Sequence, residues 1–360
     1  MGSMDEAIAE VRTGKPVRAA ARDNGVARST LQDHLTRAEI PIGYNIKSTS
    51  TMYSADGEVK LQWVKTDVNK EEQEASLKAA MEGLMADLPK SEPIPHTITS
   101  VKNLLTLYPI GDHHFGMLSW MPETGASRGY DLKEASRLLN GAFDHLVEAS
   151  PASEECAIMV LGDFLHFSGY EPTTERSKNV LDADGRLPKM IRAAMEGIRY
   201  AVRAALKRHK TVRLQFDPGN HDTSATPYLK EGFRMIYENE PRVFVDSNAR
   251  NFNCFTFGDN FIGSHHGHSV KLPSLPLLFA TDYSSFWGVT RHRTIHTGHV
   301  HHDQVKEYVG CTVESHGILP PQDAYAAQNG YRSKSSMKAI VLHKQYGEVA
   351  RHTVNPEMLT

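Results

Sequence analysis

The second part of the chain repeats one pattern, in which a short apolar run is followed at once by glycine, aspartate, asparagine or histidine. Five such runs occupy residues 104–110, 157–161, 212–216, 261–263 and 294–297. Apolar runs of this length, bounded by turn residues, predict strands. The stretches 130–149 and 187–210 fit helices, and the second has an apolar stripe at helical spacing. Strands that alternate with helices are typical of an α/β fold.

Changes in the pattern of residue types divide the chain into three predicted segments: 4–40, 41–96 and 97–360. In the middle segment, two β-rich runs flank Asp56-Gly57, which is a strong signal for a β-hairpin. A helix over 71–88 and a proline-containing linker are expected to follow the hairpin. The last segment contains all five apolar runs, so we expect it to form the main domain.

Polar side chains with metal-binding chemistry stand directly after each predicted strand. They form the motifs Gly111-Asp112-His113-His114, Gly162-Asp163-Phe164-Leu165-His166, Gly219-Asn220-His221-Asp222, His265-His266-Gly267-His268 and Gly298-His299-Val300-His301. Strand ends are where open α/β sheets place their ligand sites. One such tetrapeptide could be an ordinary polar turn, but five in one chain are hard to attribute to chance. A mixed set of carboxylate, amide and imidazole donors suits Mn, Fe or Zn better than Ca.

These motifs, in this order, resemble those of the calcineurin-like metallophosphoesterases, over roughly residues 101–350. Their bare order also resembles that of the DNA double-strand-break repair nucleases. A weaker resemblance, in 179–186, links the chain to phage-encoded phosphoesterases that carry an N-terminal helix-turn-helix. The family implies two packed sheets flanked by helices, with a dinuclear metal centre on their rim.

The resemblance also implies roles for individual residues. The first metal would take Asp112, His114, Asp163 and His301, and the second would take Asp163, Asn220, His266 and His299. Asp163 would bridge two divalent metal ions, with Mn expected and Fe or Zn as alternatives. His265 and His268 compete with His266 for one ligand position, and His266 matches the family best. His221 would assist at the phosphate or the leaving group, and Asp222 would orient the His221 ring.

The first segment, 4–40, predicts three short helices with a tight turn at Asn24-Gly25-Val26. The stretch 19–31 resembles a helix-turn-helix of the pipsqueak or resolvase type, which places its third helix in the DNA major groove. The candidate DNA contacts are Arg28, Ser29, Thr30 and Gln32. The alternative is an ordinary helical hairpin, because residues 5–39 carry six Lys or Arg and six Asp or Glu.

Composition limits the remaining possibilities. A chain of 360 residues with a formal charge of −3 has no global basic signal, so any DNA contact must come from local patches. The three cysteines, Cys156, Cys254 and Cys311, show no motif spacing and suggest a reducing compartment. No apolar run reaches the length of a membrane span, and no signal-peptide pattern opens the chain. We therefore expect no membrane partner and a cytoplasmic location, which would be the host cytoplasm if a phage encodes the chain.

Three functional hypotheses follow. The leading one is a DNA nuclease, of exonuclease or endonuclease type, that uses water activated by two metals with help from His221. The alternative is a phosphatase or cyclic-nucleotide phosphodiesterase for small substrates or phosphoproteins. The third is a DNA-binding protein without catalytic activity. The basic side of helix 187–210 is either a solvated face or a track for a nucleic-acid backbone.

Overall fold

The computed structural model describes residues 3–12, 15–38, 44–53, 59–68, 75, 79, 90–95, 98–175 and 177–359. The chain divides into two compact units, Met1–Ala79 and Ala80–Thr360. The predicted three-segment division stays a prediction. Within the described part of the chain, none of the helices combines the length and the apolar character that crossing a bilayer requires.

The larger unit contains a six-stranded mixed sheet. Its strands, in spatial order, are β13 (Gly347–Val354), β12 (Met337–His343), β3 (Val101–Ile110), β4 (Ser153–Val160), β5 (Thr211–Phe216) and β6 (Val243–Val245). The last four are parallel to one another, whereas β12 is antiparallel to both of its neighbours. The carboxyl ends of β3, β4 and β5 therefore meet at one edge of the sheet.

A five-stranded sheet forms the second layer. Its strands, in spatial order, are β10 (Gln304–Tyr308), β11 (Cys311–Ser315), β9 (His292–Thr297), β8 (Asn260–Ser264) and β7 (Asn253–Phe257). Strands β8, β9 and β11 are parallel, and the two edge strands are antiparallel to their neighbours. Like the first sheet, it therefore collects the carboxyl ends of neighbouring strands at one edge.

The two sheets pack face to face through the inward side chains of their strands. Leu105 and Leu107 of β3 alternate with outward residues, as the two-residue period of a strand requires. They share one buried cluster with Phe255, Phe257 and Ile262 of the second sheet. The predicted α/β fold of two sheets flanked by helices is confirmed.

Helices pack on the outer faces of both sheets. The described helices of the larger unit are α4 (Met121–Thr124), α5 (Leu132–Ala149), α6 (Leu187–Arg208), α7 (Thr226–Ile236), α8 (Leu275–Asp282), α9 (Ser284–Val289) and α10 (Ala324–Gln328). On the six-stranded sheet, the outward Tyr108 ring packs 5.6 Å from that of Phe143 on α5. On the other sheet, Phe261 packs against Phe279 of α8 and Trp287 of α9. Asp131 caps α5 by accepting the backbone N–H of Glu134 at 2.7 Å.

The smaller unit begins with three helices: α1 (Met4–Arg12), α2 (Val17–Asp23) and α3 (Arg28–Ala38). Ala7, Ala20 and Leu31 are buried between these helices. Gly25 has a φ of +70° in the turn between α2 and α3, a conformation that glycine adopts without steric cost.

An antiparallel pair of strands, β1 (Tyr44–Tyr53) and β2 (Val59–Val68), follows the three helices. Both predicted β-rich runs lie within these strands. The predicted Asp56-Gly57 turn and the predicted helix over 71–88 lie outside the described residues, apart from residues 75 and 79.

A buried chain of polar groups joins the end of α6 to the six-stranded sheet. The Tyr108 hydroxyl is 2.7 Å from His209 Nε2, and the Ser153 hydroxyl is 2.7 Å from His209 Nδ1. Buried polar groups stabilise a fold only when they are hydrogen-bonded. These hydrogen bonds therefore fix the position of α6 relative to β3 and β4.

Tyr108→Phe removes one of these buried hydrogen bonds while keeping the ring. We expect the free energy of unfolding to fall by about 1–2 kcal/mol, because a buried partner loses its hydroxyl. Urea unfolding followed by circular dichroism measures the change. Tyr346→Phe is the matched control, since Tyr346 is 68% exposed. Equal stability of the two variants would contradict the assigned role.

Candidate metal centre

The five polar motifs meet at one rim of the two-sheet sandwich. Asp112, Asp163 and Asn220 follow the carboxyl ends of β3, β4 and β5, which are adjacent and parallel. His266 follows β8, and the Gly298–His301 motif follows β9 in the second sheet. The packing of the sheets thus brings together side chains that are up to 189 positions apart in the sequence, between residues 112 and 301.

One group of side chains consists of Asp112, His114 and His301, whose ligand atoms lie within 4.8 Å of one another. His301 Nε2 is 3.2 Å from Asp112 Oδ1 and 3.4 Å from His114 Nε2. Asp112 and His114 are buried, whereas His301 is half-buried. The two backbone bonds that Asp112 accepts from the His299 N–H, at 2.9 and 3.1 Å, fix the carboxylate in place.

A second group consists of Asp163, His266 and His299, again within 4.8 Å. His266 Nε2 lies 3.2 Å from Asp163 Oδ2 and 3.1 Å from Asn220 Oδ1. The other ring nitrogen of His266 lies 2.8 Å from the Leu161 carbonyl oxygen. A neutral His266 ring that donates its Nδ1–H to this carbonyl presents a lone pair at Nε2.

The two groups are adjacent, since His266 Nε2 of the second lies 3.9 Å from Asp112 Oδ1 of the first. Each group is part of one of the two ligand sets that the sequence resemblance implies. The structure therefore brings all seven candidate ligands to one rim: Asp112, His114, Asp163, Asn220, His266, His299 and His301. Their roles as ligands stay a prediction.

The donor chemistry at this rim fits divalent metal ions. Around a neutral His266, a carboxylate oxygen, an amide oxygen and an imidazole lone pair all converge, and all three are acceptors. Acceptors that face one another in a buried site need a cation between them. Nitrogen and oxygen donors in this mixture suit transition metals, and the residues would hold one ion in each group.

The backbone at the candidate ligands is unusual. Five described residues other than glycine have a φ between +47° and +69°, and four of them are candidate ligands: His114, Asp163, His299 and His301. This left-handed region is uncommon for residues with a side chain, although Asn, Asp and His enter it more readily than others. Strained backbone of this kind concentrates at functional sites.

Two glycines allow the motifs to approach closely. A Cβ atom on Gly219 would lie 2.0 Å from Asp163 Oδ1 and 2.2 Å from the Asp163 backbone nitrogen. A Cβ atom on Gly298 would lie 2.5 Å from Asp112 Oδ2. Any larger residue at either position would displace a candidate ligand carboxylate. The Gly-Asn-His-Asp and Gly-His-x-His motifs therefore need their glycines for space.

The predicted role of Asp222 is wrong. Its carboxylate does not orient the His221 ring but accepts four backbone N–H groups, from Asp163, Phe164, Leu165 and Gly219, at 2.8 to 3.2 Å. The physical reason is burial, because a buried carboxylate needs several donors and the turn after Asp163 supplies three. Asp222 is thus a positioning residue that joins the second motif to the third.

His221 is held instead by the neighbouring loop. The His221 backbone N–H donates to Asp163 Oδ1 at 2.8 Å, and ring Nδ1 lies 2.8 Å from the His166 carbonyl oxygen. With Nδ1 donating there, Nε2 is the nitrogen that faces the site, 3.9 Å from Asp163 Oδ2. The His166 ring stacks on His221 with centroids 5.5 Å apart.

His166, which the sequence argument did not place among the candidate ligands, lies in the site. His166 Nδ1 is 3.3 Å from His114 Nδ1, and His114, His166 and His221 form a third close group. Its position as the last residue of the second motif was the available signal. A histidine beside a candidate ligand can set the orientation of that ligand.

Other histidines of the motifs lie outside the two groups. His265 stacks on Phe252 with centroids 4.4 Å apart, and its Nδ1 accepts the Gly267 N–H at 2.9 Å. His113 points away, with Nε2 3.0 Å from the Ala135 carbonyl oxygen. A separate buried cluster of His296, Glu314 and His316 is neutralised by Arg351, which pairs with Glu314.

The charges at the rim depend on one another. Burial alone would raise the pKa of Asp163, but His266 and His221 hold it well below its ordinary value. Burial likewise opposes ionisation of Asp112, and His301 and His266 outweigh it, so the pKa of Asp112 is lowered. Burial would lower the pKa of His266, yet Asp163 and Asp112 raise it to about 10. Before metal binds, a proton on His266 therefore supplies the missing positive charge.

The candidate DNA contacts lie in the smaller unit, on α3. Arg28 begins the helix and is half-buried, and Ser29 and Thr30 are exposed. The side chain of Gln32 lies outside the described residues. Their role in DNA binding stays a prediction.

No family model matches the chain, and no curated protein matches it. Among solved structures, a phosphoesterase-like uncharacterized protein from Streptococcus pneumoniae TIGR4 has 12% identity and a TM-score of 0.27, covering 70% of this chain and 97% of that one. An archaeal phosphodiesterase has 14% identity, a TM-score of 0.32 and coverage of 70% and 99%. Zinc-complexed Vps29 from Entamoeba histolytica has 12% identity, a TM-score of 0.28 and coverage of 69% and 98%. At these values, the function proposed below rests on the side chains of this chain alone.

Gly219→Ala tests the close approach of two motifs. The added methyl group overlaps Asp163, so we expect metal affinity to fall by roughly tenfold or more. Isothermal titration with Mn²⁺ measures the affinity. Gly288→Ala is the control, because a Cβ atom there meets nothing within 4 Å. Unchanged metal affinity in Gly219→Ala would refute the assigned crowding.

Metal binding should release protons. His266 has a pKa of about 10 and is protonated at pH 7.5. His301 contributes in the same direction, because Asp112 raises its pKa against the opposing effect of burial. Nitrogen ligands must be deprotonated, so about one proton or more should leave as the ions bind, and affinity should rise with pH up to about 10. Titrations in Tris and phosphate at equal pH count the protons from the difference in apparent enthalpy. Equal enthalpies in the two buffers would exclude this coupling.

Proposed function

We propose that the chain is a metal-dependent phosphodiester hydrolase and that its substrate is DNA. The observation that carries the first part is the convergence of seven Asp, Asn and His side chains in two adjacent groups at one rim, with His221 Nε2 facing them. Two close metal sites with a proton donor beside them suit the in-line displacement at phosphorus.

The chain's own residues supply most of the needed geometry. Asp112, His114 and His301 would hold one ion, and Asp163, Asn220, His266 and His299 would hold the other. When bound, the ions would neutralise charge on the phosphate and acidify a water molecule. The glycines and Asp222 keep the two carboxylates in place, so that little reorganisation is needed when substrate binds.

His221 is the residue that can move a proton. Its Nδ1 is engaged by the His166 carbonyl, which leaves Nε2 as the atom that reaches a phosphate oxygen. A protonated Nε2 would donate to the phosphate or to the leaving oxygen, and His166, stacked on the ring, would keep it in that orientation. His221 is half-buried, and 15% of its side chain remains exposed.

DNA is favoured over small phosphoesters by the rest of the chain. A three-helix unit of the helix-turn-helix type precedes the hydrolase part and exposes Ser29 and Thr30 on its third helix. A unit that binds DNA would bring the catalytic part to a polynucleotide substrate. A phosphatase or cyclic-nucleotide phosphodiesterase is the outcome if polynucleotides are not cut.

We expect Mn²⁺-dependent loss of label from end-labelled linear DNA and hydrolysis of the small diester bis(p-nitrophenyl) phosphate. His221→Ala should lower both rates by about 10²–10⁴, the usual contribution of a positioned acid, without changing the number of bound metal ions. Digestion of circular DNA reports endonuclease action. Parallel reactions with Zn²⁺ and Fe²⁺ identify the preferred metal.

His145→Ala is the matched control, since His145 is also half-buried but lies on α5. Small-diester hydrolysis with intact linear and circular DNA would reject DNA as the substrate and leave a phosphoesterase. Full activity of His221→Ala would remove His221 from the reaction. A protein that binds no metal and hydrolyses neither substrate would refute the proposal.

A further inference from the structure

Helix α6 carries a stripe of basic side chains that the hydrolytic site does not use. The stripe consists of Lys189, Arg192, Arg199, Arg203 and Lys207. At 3.6 residues per turn, these five positions fall within a sector of roughly 80° around the helix axis. They extend along about 27 Å of that axis at 1.5 Å per residue. Glu196 also falls within this sector, between Arg192 and Arg199, so the stripe is a narrow row of five cations that one carboxylate interrupts.

The basic stripe faces solvent. Lys189, Arg192, Arg203 and Lys207 are exposed and Arg199 is half-buried. The opposite side of the helix is buried against the fold by a long apolar face that includes Met190, Ile191, Ala194, Ile198 and Val202. Because the apolar side is already occupied, the helix cannot insert it into a membrane surface. A water-soluble polyanion is the partner that this surface fits.

Helix α6 has a high positive charge, whereas the chain as a whole is negative. Six basic residues and one acidic residue, Glu196, give α6 a formal charge of +5, whereas the whole chain carries −3. Helix α5, which packs beside it, has two basic and three acidic residues. Within the described part of the chain, the ion pairs do not include Lys189, Arg192, Arg203 or Lys207. Their charges are thus available to a ligand.

The stripe begins beside the candidate metal centre. Met190 packs on Gly116, two residues after His114, so closely that a Cβ atom there would lie 2.4 Å from its sulfur. The Asp184 N–H donates to the Gly116 carbonyl at 2.8 Å just before the helix starts. Further along α6, Gly197 leaves room for the Phe115 ring. The first turn of α6, with Lys189, therefore lies near the loop that carries His114.

We infer that this basic stripe binds the phosphate backbone of the DNA that the rim cleaves. The inference rests on the proposed function and names a second point of contact with its substrate. A row of about 27 Å is as long as roughly eight base pairs of duplex DNA, at 3.4 Å of helix axis each. Cations on long side chains can contact the phosphates of a polyanion without reading its sequence.

The test is DNA binding by the full chain as a function of salt. Fluorescence anisotropy in EDTA, where hydrolysis is prevented, is followed with a fluorescein-labelled 20-base-pair duplex and the matching single strand. The double variant Arg192→Gln with Lys207→Gln should reduce the slope of log Kd against log[NaCl] by about 1.8 for the duplex or about 1.4 for the single strand. Its hydrolysis of bis(p-nitrophenyl) phosphate in Mn²⁺ should stay at the wild-type rate.

Two controls fix the interpretation. Arg250→Gln with Lys306→Gln removes the same two residue types from other exposed positions and should keep the wild-type slope. Arg28→Gln measures the part of the binding that belongs to the smaller unit. A wild-type slope in the stripe variant, with the whole loss appearing in Arg28→Gln, would overturn the inference.

The inference and the proposed function can fail separately. Wild-type protein that hydrolyses the small diester but binds neither DNA probe overturns the stripe and leaves a phosphoesterase. DNA binding that depends on Arg192 and Lys207, in a protein that hydrolyses nothing with any metal, supports the stripe and overturns the hydrolase.

Discussion

The arrangement of the rim depends on two buried carboxylates that lie close together. Asp112 and Asp163 both lie within 4 Å of His266 Nε2, at 3.9 and 3.2 Å. Like charges cannot share a buried site unless positive charge is placed among them. The histidines supply it as protons, and divalent ions would supply it more completely. The electrostatic repulsion between the two carboxylates explains why so many histidines crowd into the five short loops.

The two-sheet sandwich makes such crowding possible because its strand ends hold the ends of the loops close together. Strands β3, β4 and β5 end side by side, and the second sheet brings β8 and β9 to the same rim. Asp222 then joins two loops through four backbone N–H groups, so the second motif cannot move without the third. Burial and the nearby Asp163 raise the pKa of Asp222 to about 6, and the N–H donors keep it from rising further.

Much of this organisation could be predicted from the sequence. The apolar runs predicted strands β3, β4, β5, β8 and β9, and the residues directly after them meet in space. The positions of these side chains follow from the order of residues along the chain and from the edge of the sheet where the strands end. The role of Asp222 could not be predicted, since three of its four partners are backbone groups 57 to 59 positions away. The contacts of His166 could not be predicted for the same reason, because those with His114 and His221 come from the packing of loops.

The left-handed backbone at four candidate ligands has a consequence for heating. Each such residue costs on the order of 1–3 kcal/mol, which contacts within the packed rim must offset. These contacts are hydrogen bonds between loops, whereas the strands below share a continuous apolar core. Warming will therefore loosen the rim before it separates the sheets. The temperature up to which the rim could hold metal ions would then lie below the temperature at which the fold melts.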